Sequence, residues 1–85
     1  MYIHSENLKQ LRKARGITQK ELGRRLGISG VMYSYYERGE RRMRLELLCR
    51  IADILYTSTD YLLGRTFDPT PPDTQYINQN KKTNI

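Results

Sequence analysis

The side chains in this 85-residue sequence that could do chemistry are mostly arginines and lysines, and they are concentrated in the first half. Between Lys9 and Arg44 there are eleven Lys or Arg residues and three Glu, a net charge of +8. From Leu45 to the end, four basic residues stand against five acidic ones, a net charge of −1. Such a dense positive charge favours an anionic polymer as the partner. A solvated surface that keeps the protein soluble is the alternative.

Residues typical of catalysis or metal binding are few. The chain has one histidine, His4, and one cysteine, Cys49, so neither a disulfide nor a site of three or four His and Cys ligands can form within it. Its acids are scattered, no Ser-His-Asp set can form around His4, and no glycine-rich phosphate loop precedes a helix. We therefore predict no catalytic residue, no metal and no cofactor, and hence a protein that is not an enzyme. Cys49 is expected to be a small buried residue.

Five amphipathic segments separated by short breaks predict an all-α fold without a β-sheet. Helices are expected from the N-cap Ser5 to Gly16, from Thr18 to Gly27, from Ser29 to Gly39, over RLELLCRIADIL, and over STDYLLG. Thr18 with Glu21 forms a capping box. In the fourth helix an apolar stripe is predicted to face the core: Leu45, Leu48, Ile51, Ala52 and Leu55. With no signal peptide and no 18-residue apolar run, the chain is expected to be soluble and cytoplasmic.

Residues 65–85 differ in character from the rest. This segment holds all three prolines and many Asn and Thr residues, which predicts an irregular tail after a helical domain of residues 1–64. Its few apolar side chains, Phe67, Tyr76 and Ile77, are candidates, together with helix five, for contacts in a dimer or with another protein.

The second and third helices form the most informative unit. In the turn between them, Gly27 tolerates positive φ and Ile28 is an apolar residue that fills the space between the two helices. Ser29 begins the third helix. Gly23 provides a small residue where the two helices come closest. The second helix of such a corner can protrude and fit a DNA major groove, which is about 12 Å wide.

The run ITQKELGRRLGIS, then YSYYERGERR, LLCRIADIL and STDYLLG, resembles the Cro and phage-repressor type of helix-turn-helix protein, the XRE family. The resemblance covers about Glu6 to Gly64. It implies a compact, lambda-repressor-like five-helix domain and sequence-specific binding of double-stranded DNA by a transcriptional regulator, as a repressor. It also implies homodimers on inverted half-sites about 34 Å apart.

The resemblance further implies roles for individual residues. Helix three would contact bases through Ser29, Gly30, Val31, Ser34 and Tyr35. Phosphates would be held by Arg12, Gln19, Lys20, Arg38, Arg41, Arg42 and Arg44. Glu37 would form an ion pair with Arg12. This pair would hold helix three in position and orient the guanidinium towards the DNA backbone. For the arginines after helix three, a merely solvated loop is the alternative.

Three tyrosines lie close together in helix three. Tyr33 and Tyr36 are three residues apart and share one face, so we predict that they belong to the core. A platform on which single-stranded nucleic acid stacks its bases is the alternative. Tyr35 lies on another face and is predicted to contact DNA, or else to be solvated.

The sequence also departs from the family pattern. Gly30, Val31 and Met32 stand where the family often has side chains that form two hydrogen bonds to one base. Specificity would then depend on Ser29, Ser34, Tyr35, thymine methyl groups and DNA shape. Alternatively, Val31 and Met32 bind a protein, and the chain is an antitoxin-like interaction module whose tail folds on a partner. Tyr56 and Thr57 replace a common Gly-Val pair, so the turn after helix four must form without glycine.

Overall fold

The computed structural model describes residues 1–72, and within that range the chain forms five α-helices and no strand. The helices are α1 (Ser5–Ala14), α2 (Gln19–Leu26), α3 (Gly30–Glu37), α4 (Leu45–Leu55) and α5 (Thr59–Leu62). The predicted all-α, five-helix fold is confirmed. None of the described helices is both long and apolar enough to cross a membrane.

Side chains at the helix starts satisfy backbone amides that have no partner within the helix. The hydroxyl oxygens of Thr18, Ser29 and Ser58 each accept a hydrogen bond from the amide three residues on, at 3.0 Å. The predicted cap of α1 is wrong. His4 takes that place, because its Nδ1 accepts from the Asn7 amide at 3.2 Å, and Ser5 is already helical.

The five helices pack around one hydrophobic core, to which each contributes. Its fully buried side chains are Leu8, Leu22, Tyr33, Leu48, Ile51, Leu55 and Leu62. Two predictions for α4 are wrong, since Leu45 is 60% exposed and Cys49 is also exposed. Together with the exposed Asp53 they form a row at four-residue spacing, at the edge of the buried stripe.

The corner between α2 and α3 forms as the sequence predicts. Gly27 ends α2 with φ of 75°, in the left-handed region that glycine adopts without strain. At Gly23, an added Cβ would lie 3.0 Å from the carbonyl oxygens of Ile28 and Ser29. Only glycine therefore lets the start of α3 approach α2 this closely.

Two arginines donate hydrogen bonds to carbonyl groups at the C-terminal ends of helices, which lack partners within the helix. Arg15 donates from Nε to the Leu55 carbonyl oxygen at 2.9 Å, next to the turn that Tyr56 makes with φ of 55°. Arg50 donates to the carbonyl oxygens of Arg25 and Leu26 at the end of α2. These bonds tie α1 to α4, and α4 to α2.

Both ends of the described chain pack on the helices. The His4 amide donates to the Leu62 carbonyl at 2.8 Å, and the Thr57 hydroxyl donates to the Pro69 carbonyl at 2.7 Å. Residues 65–71 form no helix or strand. In this segment Phe67 is 84% exposed. The predictions for Tyr76 and Ile77 lie outside the described residues.

Candidate nucleic-acid interface

An open depression lies between the first turn of α2 and the outer face of α3. It is lined by Gln19, Lys20, Gly30, Val31, Ser34, Tyr35 and Arg38. Each of these residues is among those that the sequence predicts to contact DNA. Val31 is 69% and Tyr35 is 40% exposed, and Ser29 is also exposed, so this face of α3 is open to a partner.

Within this depression Gly30 has a packing role. A Cβ at that position would lie 3.2 Å from the Cα of Lys20, so the missing side chain faces α2. A larger residue at this position would push α3 away from α2. The structure therefore assigns Gly30 to the contact between the helices, whereas the sequence analysis predicts a base contact.

The C-terminal half of α3 carries a cluster centred on Arg38. The guanidinium carbon of Arg38 lies 5.0 Å from the centre of the Tyr35 ring, at the distance of a cation–π contact. Its Nη1 donates to the Ser34 hydroxyl at 2.6 Å, and its Nε donates to Glu40 at 2.5 Å. The cluster therefore orients both Tyr35 and Ser34. The exposed pair with Glu40 is of a kind that contributes little to stability, so Arg38 can exchange this carboxylate for a phosphate.

Glu37 joins three parts of the molecule through one buried carboxylate. It accepts bonds from Arg12 Nε at 2.7 Å and Nη2 at 3.2 Å, from Gln19 Nε2 at 2.7 Å and from the Tyr33 hydroxyl at 2.8 Å. Burial by itself raises the pKa of Glu37, but the hydrogen bonds from Arg12, Gln19 and Tyr33 outweigh burial and lower it overall. The side chain is therefore ionised at neutral pH and connects α1 and α2 to α3.

The geometry of Arg12 conflicts with the expectation that it contacts a phosphate. The residue is 7% exposed, and its remaining nitrogen, Nη1, donates to the Ile17 carbonyl at 2.7 Å. Hydrogen bonding to Glu37 raises the pKa of Arg12, so its charge is held inside the protein. We therefore treat Arg12 as a structural residue.

Tyr33 and Tyr36 also differ from each other. Tyr33 is fully buried, and burial, followed by the neighbouring Glu37 carboxylate, raises the pKa of its hydroxyl. Tyr36 is only partly buried, and it packs against the core from outside. Neither ring is placed to serve as an open stacking platform in the described part of the chain.

The sequence model of the helix-turn-helix family matches residues 8–62 of this chain. The chain belongs to the helix-turn-helix family. The resemblance stated from the sequence motifs is thereby confirmed, and α2 with α3 is the helix-turn-helix unit itself.

Curated relatives with this helix-turn-helix sequence are named as regulators of transcription. The HTH-type transcriptional regulator YobD of Bacillus subtilis is 36% identical over 69 residues, which are 81% of this chain and 62% of YobD. The HTH-type transcriptional regulator ImmR of the same species is 34% identical over 87% of this chain and 58% of ImmR. The cryptic phage CTXphi transcriptional repressor RstR of Vibrio cholerae is 43% identical over 71% of this chain and 54% of RstR. The chain thus spans less than two thirds of each of these relatives, and no solved structure matches it.

Exposed cations lie in the first turn of α2 and in the loop after α3. Lys20, Arg41, Arg42 and Arg44 are exposed, and none of them forms an ion pair with a carboxylate among the described residues. Arg41 Nη1 lies 3.2 Å from the Met32 sulfur, so this loop contacts α3. The cations are therefore free to bind an anion beside the exposed face of α3.

The arginines of α2 are less available than these. Arg24 and Arg25 both bind Glu21, at 2.6 and 2.9 Å. Hydrogen bonds from Arg24 and then Arg25 lower the pKa of Glu21 to about 2, so this carboxylate is ionised at neutral pH. These two charges are partly compensated within the helix-turn-helix unit.

Sequence reasoning missed Glu40, which holds Arg38 beside Tyr35. An acid two residues after an arginine, with only Gly39 between them, is a signal that could have suggested this pair. It is weak, because glycine leaves the direction of the chain open.

Proposed function

We propose that this protein is a transcriptional regulator that binds double-stranded DNA sequence-specifically and acts as a repressor. The observation that carries the proposal is the exposed face of α3, from Ser29 to Tyr35, beside cations that have no carboxylate partner within the described chain. A protruding helix with flanking cations fits a major groove lined by phosphates on both sides. Repression is supported by RstR, which is named a repressor.

Phosphate contacts would come from two sides of the groove. At the start of α2, the first backbone amides have no partner within the helix and favour an anion. Gln19 gives one N–H to Glu37, and the other remains for a phosphate. The remaining phosphate contacts are proposed for Lys20, Arg38, Arg41, Arg42 and Arg44.

We also propose that two copies of the chain bind together, on inverted half-sites about 34 Å apart. We place such a contact at Phe67, which follows α5 and is 84% exposed. The alternative of an antitoxin-like module depends on residues 73–85, which lie outside the described part of the chain, and nothing in the comparisons favours it.

Selection of bound sequences from a random pool of DNA duplexes tests the proposal directly. We expect one motif to be enriched, arranged as two inverted half-sites. A single unrepeated motif would contradict the dimer but not DNA binding. A pool that stays random after several rounds would contradict sequence-specific binding itself.

Two variants separate the backbone contacts from base recognition. Arg42→Ala should weaken binding to every duplex alike, by several-fold, because a phosphate contact carries no sequence information. Tyr35→Ala should instead change which sequence is preferred. The measurement is the affinity of each variant for the selected duplex and for a scrambled duplex of equal length. If Arg42→Ala changed the preference and Tyr35→Ala did not, the assignment of roles would be wrong.

A further inference from the structure

The face of α3 that we propose enters the groove is apolar at its two most exposed positions. Val31 and Tyr35 are four residues apart and therefore lie on the same side of the helix. Their exposed fractions are 69% and 40%, and the Arg38 guanidinium lies over one face of the Tyr35 ring only. An exposed valine and tyrosine side by side gain free energy when a partner removes them from water.

The same face lacks a free side chain that could form two hydrogen bonds to a base. Ser29 uses its oxygen to accept from the Met32 amide, and Ser34 uses its oxygen to accept from Arg38. Gly30 has no side chain and faces α2. Arg38 is the nearest guanidinium, but we propose it as a phosphate contact, and its Nη1 donates to Ser34.

The major groove offers one apolar feature for such a surface. Three of the four bases present only hydrogen-bonding groups there, whereas thymine also presents its C5 methyl group. We propose that α3 recognises thymine methyl groups through Val31 and Tyr35. This inference rests on the proposed function, and it names the chemical group that is read.

The geometry around Tyr35 supports a direct contact of this kind. The Arg38 guanidinium lies over one face of the ring, 5.0 Å from its centre, and is itself held by Ser34 and Glu40. The ring is therefore oriented before any DNA arrives, and little conformational entropy is lost when its edge meets a methyl group. Val31 is β-branched and has one strongly preferred rotamer in a helix, so it is similarly rigid.

Replacing thymine by deoxyuridine removes the methyl group and leaves the base pairing and the hydrogen-bonding pattern unchanged. The experiment therefore compares the selected duplex with versions in which single thymines are replaced by deoxyuridine. Burying one methyl group corresponds to a factor of about four in affinity. At one or more thymines in each half-site we expect a loss of about fourfold per methyl group.

The same comparison with Val31→Ala and Tyr35→Ala identifies the residue that makes the contact. At the thymines that Val31 contacts, the preference of the wild type for thymine over deoxyuridine should vanish in Val31→Ala. Combining the protein change with the DNA change makes this comparison a double-mutant cycle. Arg42→Ala is the matched control, since it should bind every duplex more weakly and keep the ratio of thymine to deoxyuridine affinities. The melting temperature of each variant shows that the fold is intact, as expected for exposed side chains.

The outcomes distinguish this inference from the proposed function. If a motif is selected but contains no thymine that deoxyuridine weakens, methyl recognition is wrong and DNA binding stands. If the thymine preference persists in both Val31→Ala and Tyr35→Ala, another residue makes the contact and the inference is wrong. If no motif is selected, the proposed function is wrong and the inference is wrong with it.

Discussion

Glu37→Ala should lower the free energy of unfolding by about 3–5 kcal/mol, because it leaves the buried Arg12 guanidinium without its carboxylate. Arg12 is 7% exposed, so its guanidinium has little access to water. The same change also removes the acceptor of the Tyr33 hydroxyl and of the Gln19 amide. Urea denaturation of the variant and of the wild type measures the difference.

Glu40→Ala is the matched control for that variant. It removes a carboxylate that also pairs with an arginine, but both side chains of this pair are about half exposed. Exposed pairs of this kind contribute about 0.2–1 kcal/mol at most. If the two variants lost the same amount of stability, the buried carboxylate would not be the connection between helices that we describe.

The pH dependence of stability should differ between wild type and Glu37→Ala in a defined direction. In the folded protein the pKa of Glu37 lies below the ordinary value of 4.5. A carboxyl group whose pKa is lowered on folding stabilises the fold at pH values above its unfolded-state pKa. This stabilisation is lost as the pH falls through its folded-state pKa. Wild-type stability should therefore fall more steeply below pH 4.5 than that of the variant.

Raising the salt concentration from 50 to 200 mM should weaken binding to the selected duplex by about five-hundredfold for each copy of the chain bound. Each neutralised phosphate contributes about −0.9 to the slope of log K against log salt, so the five proposed cationic contacts give roughly −4.5 for each copy. The exposed cations beside α3 are the groups that would release counterions from the DNA. The slope is measured by titrating one duplex at four or more salt concentrations.

Single arginine variants test which charges produce this slope. Arg42→Ala should make it less steep by about 1 for each copy of the chain bound. Arg65→Ala is the control, because Arg65 is an exposed arginine outside the proposed interface, 4.0 Å from Asp60. A slope near zero in the wild type would contradict electrostatic binding, and an equal change in both variants would contradict the placement of the interface.

Features set by local backbone geometry were the most predictable from the sequence. Thr18 and Ser29 cap their helices as expected, because a hydroxyl one residue before a helix reaches an amide three residues on. Gly27 was predictable because a turn that follows a helix needs positive φ. The cap of α1 was not predictable. It is His4, whose ring nitrogen accepts from the Asn7 amide and whose ring also packs against Gly64.

Features that depend on how much of a side chain is buried were less predictable. Leu45 and Cys49 match the periodicity of α4, but a periodic stripe does not say where the core ends. The pairing of Arg12 with Glu37 was predicted by family resemblance, whereas the burial of Arg12 also involves the Ile17 carbonyl, in another part of the chain. A sequence pattern contains no signal for that combination.

The arginines that bind helix ends and internal carboxylates change what the formal charge of +6 means. Arg15 and Arg50 each hold backbone carbonyl groups, and Arg12 is enclosed by the fold. Three of the fifteen basic side chains therefore join helices to one another, and the exposed cations of the proposed interface lie at fixed positions on either side of α3. We expect this spacing to favour a duplex over heparin or another flexible polyanion of equal charge density.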